Sequence, residues 1–429
     1  MAVLIAQQPD LLDASRVWGK IGILSFGGPA AQIALMHRLV VDERKWLTEK
    51  EFLNALSFCM LLPGPEAMQL ATYSGWRLHG VIGGLIAGLL FVLPGAAVIL
   101  ALSLLYVFYG ETSVVSAMFV GIKAAVVIIV IEALLKVSKR ALKARWQWIV
   151  AIAAFIGIFL FQISYPLIVV LAGFAGLLLG TRRNEESNHV NLPDSHLGKT
   201  LQTVFFWLSI WWLPIFALWA FDGGEILSQL SLFFSKLAVV TFGGAYAVLA
   251  YMAQDVVEAF GWLKPQEMID GLGLAETTPG PLILVTQFVG FLAAFKAAGI
   301  WAGIVGALIT LWVTFVPCFL WIFTGAPYIE WLTSRSKVSS TLAGISAAVV
   351  GVILNLSLWF AIHAMFSETN GISVGPGQVL VPDFSSADLT AFAICAISAV
   401  LLLWFKWNIM LVLAIAAALG LLFSGVLWV

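Results

Sequence analysis

The sequence predicts an all-α polytopic membrane protein made of two inverted-topology repeats, with re-entrant helical hairpins broken at Phe-Gly-Gly and Pro-Gly-Pro motifs. Three observations lead there. Hydrophobic residues make up 61% of the 429 positions and charged residues 10%, which leaves too little polar surface for a soluble globule. The apolar runs are long and continuous, without the alternation of a transmembrane β-barrel. Phe-Gly-Gly occurs at 26–28 and at 242–244, and Pro-Gly-Pro at 63–65 and at 279–281, each pair 216 positions apart.

The register between the motifs holds as well. Lys20 pairs with Lys236, Trp46-Leu47 with Trp262-Leu263 and Glu51 with Glu267, since 236 − 20 = 262 − 46 = 267 − 51 = 216. Seven further residues shift the offset to 223, where Gly121-Ile122-Lys123-Ala124-Ala125 faces Gly344-Ile345-Ser346-Ala347-Ala348. The expected organisation is a first repeat over 1–180, a cytoplasmic linker over 181–200, a connecting transmembrane helix over 201–223 and a second repeat over 224–429.

Spanning helices are expected at 81–109, 112–135, 147–163, 165–180, 201–221, 298–324, 338–363, 388–405 and 408–428. The stretches 11–79 and 227–296 instead hold shorter segments broken by the glycine-proline motifs and flanked by charges. A segment of about 16 residues covers about 24 Å of a hydrocarbon core about 30 Å thick, so these read as hairpins that enter and return. Their non-helical tips need protein or a water-filled cavity to satisfy them.

Orientation follows from the basic residues. Lys136, Lys139, Arg140, Lys143 and Arg145 follow the Gly121 helix, whereas the matching loop at 366–386 has no Lys or Arg. Arg38, Arg44, Lys45 and Lys50 likewise face a second-half stretch, 254–266, whose one basic residue is Lys264. Four spans per half and one connecting helix then place matching loops on opposite faces. The N-terminus and the linker fall in the cytoplasm and the C-terminus in the periplasm. Met1 to Asp13 lacks a basic region ahead of an apolar core, so no removable signal peptide is expected.

This inverted plan is that of a secondary transporter with its substrate near the midplane. Gly27, Gly28, Gly64, Gly243, Gly244 and Gly280 mark breaks from which new helices start, with Pro29, Pro65 and Pro281 close behind. Four helix N-termini carrying about half a positive charge each would sum to about +2, a match for a tetrahedral dianion. The alternative is that the glycines are only packing points. Lys20 and Lys236, six residues before the paired Phe-Gly-Gly breaks, are candidate anion ligands or snorkelling side chains. Gln69, Gln287, Thr277 and Thr278 could donate to oxygens. Glu66 and Glu276, beside the two Pro-Gly-Pro motifs, are coupling candidates because a carboxylate next to an anion favours a proton; Glu66 could equally be a helix-dipole partner. Glu132 and Lys123 are weaker candidates, lacking charged partners in the repeat, while Lys296 and Arg77 read as headgroup contacts.

No catalytic or phosphate-loop motif is present, and His37, His79 and His363 are scattered at helix ends. Cys59, Cys318 and Cys395 lack metal-ligand or disulfide spacing. Catalytic residues, metals and cofactors are therefore not expected. The net charge of −1 gives no reason to expect nucleic acid. The partners expected are an oxyanion and the lipid bilayer, with a homodimer admitted.

KIGILSFGGPAAQ, RKWLTEKEF and LLPGP, followed by KLAVVTFGGAYA, GWLKPQEM and TTPGP, resemble the chromate ion transporter family, in its long form with two fused domains. The resemblance implies a bacterial inner-membrane exporter of chromate, with sulfate as the chemical mimic. Lys20, Phe26, Gly27, Gly28, Pro29, Pro63, Gly64, Pro65 and their second-half counterparts match the family pattern. Met60 and Glu276 stand where many members have glutamine, and Glu66-Ala67 where many have small polar residues. The rival readings are a permease for sulfate or another small anion, and a membrane-embedded enzyme or assembly subunit.

Overall fold

The computed structural model describes residues 9–180, 197–220, 224–242, 244–329, 331, 336–374 and 377–424. The expected linker lies outside these residues up to position 196, as does Gly243.

The first half runs α1 (Leu11–Leu24), α2 (Gly28–His37), a π-helical turn (Arg38–Glu43), α3 (Glu49–Cys59), α4 (Glu66–Tyr109), α5 (Ser113–Ala141), α6 (Arg145–Phe159) and α7 (Tyr165–Leu179). After α8 (Leu197–Ala220), the second half repeats the order: α9 (Glu225–Val240), α10 (Ala245–Met252), a π-helical turn (Ala253–Ala259), α11 (Pro265–Glu276), a 3-10 turn (Leu282–Leu284), α12 (Val285–Gly325) and α13 (Ser336–Met365). A hairpin of β1 (Thr369–Val374) and β2 (Gly377–Pro382), then α14 (Leu389–Ala399) and α15 (Ile409–Phe423), complete it.

The correspondence reaches single backbone bonds. Trp46 N–H donates to Val40 O at 2.8 Å and Trp262 N–H to Val256 O at 2.9 Å, just after Lys45 and Gly261 turn the chain at φ +53° and +62°. Glu51 accepts from the Thr48 N–H at 2.9 Å, and Glu267 from the Lys264 N–H at 2.7 Å. The paired glutamates thus cap the N-termini of α3 and α11, satisfying backbone donors that a helix start leaves open. α4 and α12 each break early, at Gly80 (φ +62°) and Gly299 (φ +80°), so each is a short hairpin arm followed by a long span.

The nine expected spans fall into two groups by length. Five helices are long and apolar enough to cross: Glu66–Tyr109, Ser113–Ala141, Gly198–Ala220, Leu282–Tyr328 and Lys337–Met365. The other four, Arg145–Phe159, Tyr165–Leu179, Leu389–Trp404 and Ile409–Phe423, have at most 16 residues and cover about 24 Å or less, short of the hydrocarbon thickness. Tight turns shorten them: Gln162 and Lys406 adopt φ +50° and +54°, and the Asn408 side chain accepts from Met410 N–H at 2.9 Å to start α15. Two of the short helices lie in each half, so the parity on which the inverted reading rests does not depend on them. The hairpin of β1 and β2 lies in a stretch expected only as a loop, although Ile372-Ser373-Val374 alternates and Val379-Leu380-Val381 is a short valine-rich apolar run, both strand signals.

The chain divides into two compact units, and each takes segments from both halves. The first comprises Met1–Ala101, Asn184–Gly244 and Thr278–Arg335; the second comprises Leu102–Arg183, Ala245–Thr277 and Ser336–Val429.

In the first unit α12 packs along α8 and α9, with Trp207 stacked on Phe319 at 5.6 Å. Pro94 inside α4 has no N–H and leaves the Leu90 carbonyl without its helical donor. Gly22 of α1 covers that carbonyl so closely that no side chain would fit. Outside the apolar segments, Arg44 pairs with Asp13 at 2.9 Å and Arg77 with Glu51 at 3.5 Å. His37 lies between Glu49 and Asp42, and the hydrogen bond to Glu49 chiefly raises its pKa, against the lowering by burial.

In the second unit α13 packs on α5, α6 and α7, and α5 on α14 and α15. Gly121 lies against the backbone of Ala416, and Gly344 against the Ala172 carbonyl and Gly176, again with no room for a Cβ. The matched glycines of the two Gly-Ile-x-Ala-Ala motifs therefore each dock on a helix of the opposite half, as small residues do where membrane helices approach closely.

Candidate functional site

In the first unit α1 ends where Ser25 turns its hydroxyl back to the Ile21 carbonyl at 2.6 Å, and α9 ends where the Thr241 hydroxyl bonds the Leu237 carbonyl in the same way. Each residue's own backbone carbonyl is then free of the helix. Gly64 of the first Pro-Gly-Pro donates its N–H to Thr241 O at 2.8 Å, and Gly280 of the second donates to Ser25 O at 2.8 Å. Because 241 − 25 = 280 − 64 = 216, the two bonds are one contact made twice, each joining a Pro-Gly-Pro of one half to the entry of the Phe-Gly-Gly turn of the other. Unwound backbone buried in a membrane needs such partners.

Close packing reinforces both crossovers. A Cβ on Gly64 would meet the Gln69 amide at 2.9 Å and Cys318 Sγ at 3.1 Å, while Gly95 lies directly against the Pro279 carbonyl. Gly95 and Cys318 are themselves matched, since 318 − 95 = 223, and each follows a helix-bending proline, Pro94 or Pro317. The Gln32 amide donates to Gly280 O at 2.6 Å, the Gln69 amide to Pro63 O at 2.6 Å and the Gln287 amide to Ala96 O at 3.2 Å. All three side chains are buried, and their Oε1 atoms have no hydrogen-bond partner among the described residues.

The two kinds of break differ in what surrounds them. Gly64 and Gly280, at φ +114° and +90°, are buried and in contact, with their N–H groups engaged in the crossovers. Gly28 and Gly244, at φ +78° and +96°, face open space, since an added Cβ meets nothing within 4 Å. The N-terminus of α2 carries Gly27 at φ +84° and Pro29 in its first turn, and the space beside Gly28 is open. The sequence treated the four breaks alike; in the structure Gly64 and Gly280 are packed and hydrogen-bonded to the other half, whereas the space beside Gly28 and Gly244 is open.

The remaining predicted residues are distributed over both units. Lys20 and Lys236 sit at matched positions on α1 and α9 and are both exposed. Glu66 opens α4 and is half-buried, and Gln69 lies in the same first turns, fully buried. Thr278 is buried in the first unit, beside the second Pro-Gly-Pro. Glu276 ends α11 in the second unit, 3% exposed, and accepts a hydrogen bond from the Tyr246 hydroxyl at 2.8 Å. Glu132 pairs with Lys136 on its own helix at 2.6 Å, and Thr277 caps α11 through a bond to the Leu274 carbonyl. Gly243 lies outside the described residues.

Sequence reasoning missed Ser25, Thr241 and Gln32, and also Asp270, which is 5% exposed and pairs with Lys123 at 3.4 Å in the second unit. Asp270 had a signal: it is a lone acid in the apolar run Met268–Ala275. The second unit also holds a cavity of about 440 Å³ lined by Gln162, Gln254, Glu258, Asn355, Trp359 and His363 among others, and none of the predicted site residues reaches it.

The sequence model of the chromate transporter family matches residues 12–177 and 228–421, which takes in both sets of breaks. A chromate transport protein of Pseudomonas aeruginosa is 33% identical over 350 residues, covering 78% of this chain and 77% of the relative. A probable chromate transport protein of Synechococcus elongatus is 31% identical over 335 residues, 78% of this chain and 80% of the relative. An uncharacterized transporter of Methanocaldococcus jannaschii is 26% identical over 414 residues, 96% of this chain and 94% of the relative. No solved structure matches the chain.

Proposed function

We propose, since this chain belongs to the chromate transporter family, that it is a secondary transporter moving chromate out of the cell across the inner membrane. The observation that carries this reading is the pair of reciprocal crossovers, Gly64 to Thr241 and Gly280 to Ser25, which hold unwound backbone from both halves in one unit. Helix N-termini opening at such breaks present N–H groups and positive dipole ends to a tetrahedral oxyanion. Inverted repeats would then supply two alternative openings to one site.

The residues assigned to the ion are Gly27, Gly28, Gly64, Gln69, Gly243, Gly244, Thr278 and Gly280, with Lys20 and Lys236 adding positive charge. Gly64 and Gly280 act by shaping the turn, since their own N–H groups bond the other half. Glu66 and Glu276 are the coupling residues, linking proton uptake to anion occupancy; each proton that crossed with the anion would subtract one charge from those the potential moves.

The membrane potential is the main driving force. Moving one charge through 100 mV is worth about 2.3 kcal/mol, so a dianion leaving a negative-inside cell gains about 4.6 kcal/mol. That supports a gradient of roughly two thousandfold without proton exchange.

The rival substrate is sulfate or another small anion. Competition in proteoliposomes tests the choice: unlabelled chromate should displace chromate flux more strongly than sulfate, and small carboxylates should not compete. Preference for a carboxylate would overturn the oxyanion reading.

A further inference from the structure

The second unit contains a charged cluster to which the proposed function assigns no role. Asp270 on α11 is 5% exposed; its Oδ2 accepts a hydrogen bond from the Tyr106 hydroxyl at 2.9 Å, and its Oδ1 faces the Lys123 ammonium of α5 at 3.4 Å. The Lys123 and Asp270 side chains are 18% and 7% exposed. Buried ionised groups persist only with partners, yet this pairing is incomplete. Oδ1 has no hydrogen-bond partner among the described residues, and Lys123 meets it as a charge without donating a well-aligned N–H. The carboxylate oxygen and the ammonium therefore face each other across a long contact, and the oxygen has spare accepting capacity.

The repeat sharpens the point. The positions matching Asp270, Lys123 and Tyr106 are Asn54, Ser346 and Ile329, since 270 − 216 = 54, 123 + 223 = 346 and 106 + 223 = 329. A cluster needed only to pack a helix would not have to be charged in one half and neutral in the other. Glu267, three residues earlier on α11, adds a further negative charge toward Asp270. The charged residues of the other two elements packed on α11 are Asp255 and Glu258 on the π-helical turn and Lys337 and His363 on α13; none is paired with Asp270 among the described residues.

We propose that Lys123, Asp270 and Tyr106 form a proton-linked oxyanion site within the second unit. A proton from solvent bonds to Asp270 Oδ1, the carboxyl becomes neutral, and Lys123 is released to pair with one oxygen of a tetrahedral dianion. The proton returns to solvent when the anion leaves, and no other bond changes. An ionised Asp270 beside Lys123 repels a dianion, so proton and anion bind together. This rests on the reading of the chain as an oxyanion carrier but uses none of the residues at the crossovers.

The test uses the purified full-length chain in weakly buffered detergent solution, with sulfate as the probe because it stays a dianion across the neutral range. Calorimetry and a pH indicator follow binding and proton uptake together. Wild-type protein should take up protons as sulfate binds. Asp270→Asn, which keeps the shape and the Tyr106 contact, should bind sulfate at least as tightly, with that uptake reduced and an affinity flatter in pH. Lys123→Gln should weaken binding more than tenfold at this site. The double variant leaves no buried charge and serves if a single variant fails to fold; it should show both losses. Uptake in Asp270→Asn equal to wild type, or unchanged affinity in Lys123→Gln, overturns the proposal while leaving the carrier reading intact. Wild-type protein that binds neither sulfate nor chromate overturns both.

Discussion

Gly64 donates its backbone N–H to the carbonyl of Thr241 across 177 residues of chain, 241 − 64, and Gly280 returns the same bond to Ser25. The two halves of the first unit are thus joined through their broken helices. The second unit shows the same habit at Gly121 and Gly344, each docked on a helix of the other half. Exchange of this kind makes the fold depend on both repeats.

Gly64→Ala and Gly280→Ala are expected to destabilise the protein. Both glycines adopt positive φ, which costs an L-residue roughly 1–2 kcal/mol, and both leave a Cβ in contact, with Gln69 and Cys318 or with Leu284 and the Phe91 carbonyl. Gly28→Ala has the backbone strain but open space around it. Melting curves in detergent should therefore place Gly64→Ala below Gly28→Ala, and equal melting temperatures would contradict the docking role.

Sidedness gives a second expectation. Cysteines placed at Lys143 and Gly377 should label from opposite faces of the membrane, the former only from the cytoplasm, because the matching loops differ in basic residues. Cys59, Cys318 and Cys395 are buried, so background labelling should be low. Labelling from one side would end the inverted-repeat argument.

Lys20 and Lys236 are matched and exposed, and the role proposed for both is to add positive charge near the anion. Lys→Gln at either should weaken chromate binding by more than tenfold, about 1.4 kcal/mol. Unchanged affinity in both variants would make them headgroup contacts.

Glu66→Gln and Glu276→Gln should flatten the pH dependence of transport while the protein still folds. In Glu276→Gln the Tyr246 hydroxyl can donate to the new side-chain amide oxygen as it does to the glutamate, so the local structure is retained. A pH profile overlaying the parent in both variants would leave Glu66 as a helix-dipole partner and Glu276 as a structural acid.

Much of this was legible in the sequence because a repeat doubles every signal. Phe-Gly-Gly, Pro-Gly-Pro and the Trp46/Trp262 pair mark breaks and turns that depend on local backbone preference, and these fall where expected. The short helices α6, α7, α14 and α15 were not legible: uninterrupted apolar sequence hides turns made by non-glycine residues such as Gln162 and Lys406 in the left-handed region. The crossovers were hidden for a different reason. Ser25 and Thr241 act through backbone carbonyls, which carry no side-chain signature, and Gln32 resembles any polar residue in a membrane helix until its amide is seen on Gly280. Glu51 and Glu267 show that a repeated residue can be a structural one, since both cap helices.

The central claim, potential-driven outward movement of a dianion, is tested most directly in proteoliposomes with a clamped potassium-diffusion potential and equal pH on both sides. Chromate should move toward the positive face, and its equilibrium gradient should rise roughly two thousandfold per 100 mV. Flux that ignores the potential and follows an imposed pH gradient instead would contradict the account and point to electroneutral exchange with protons.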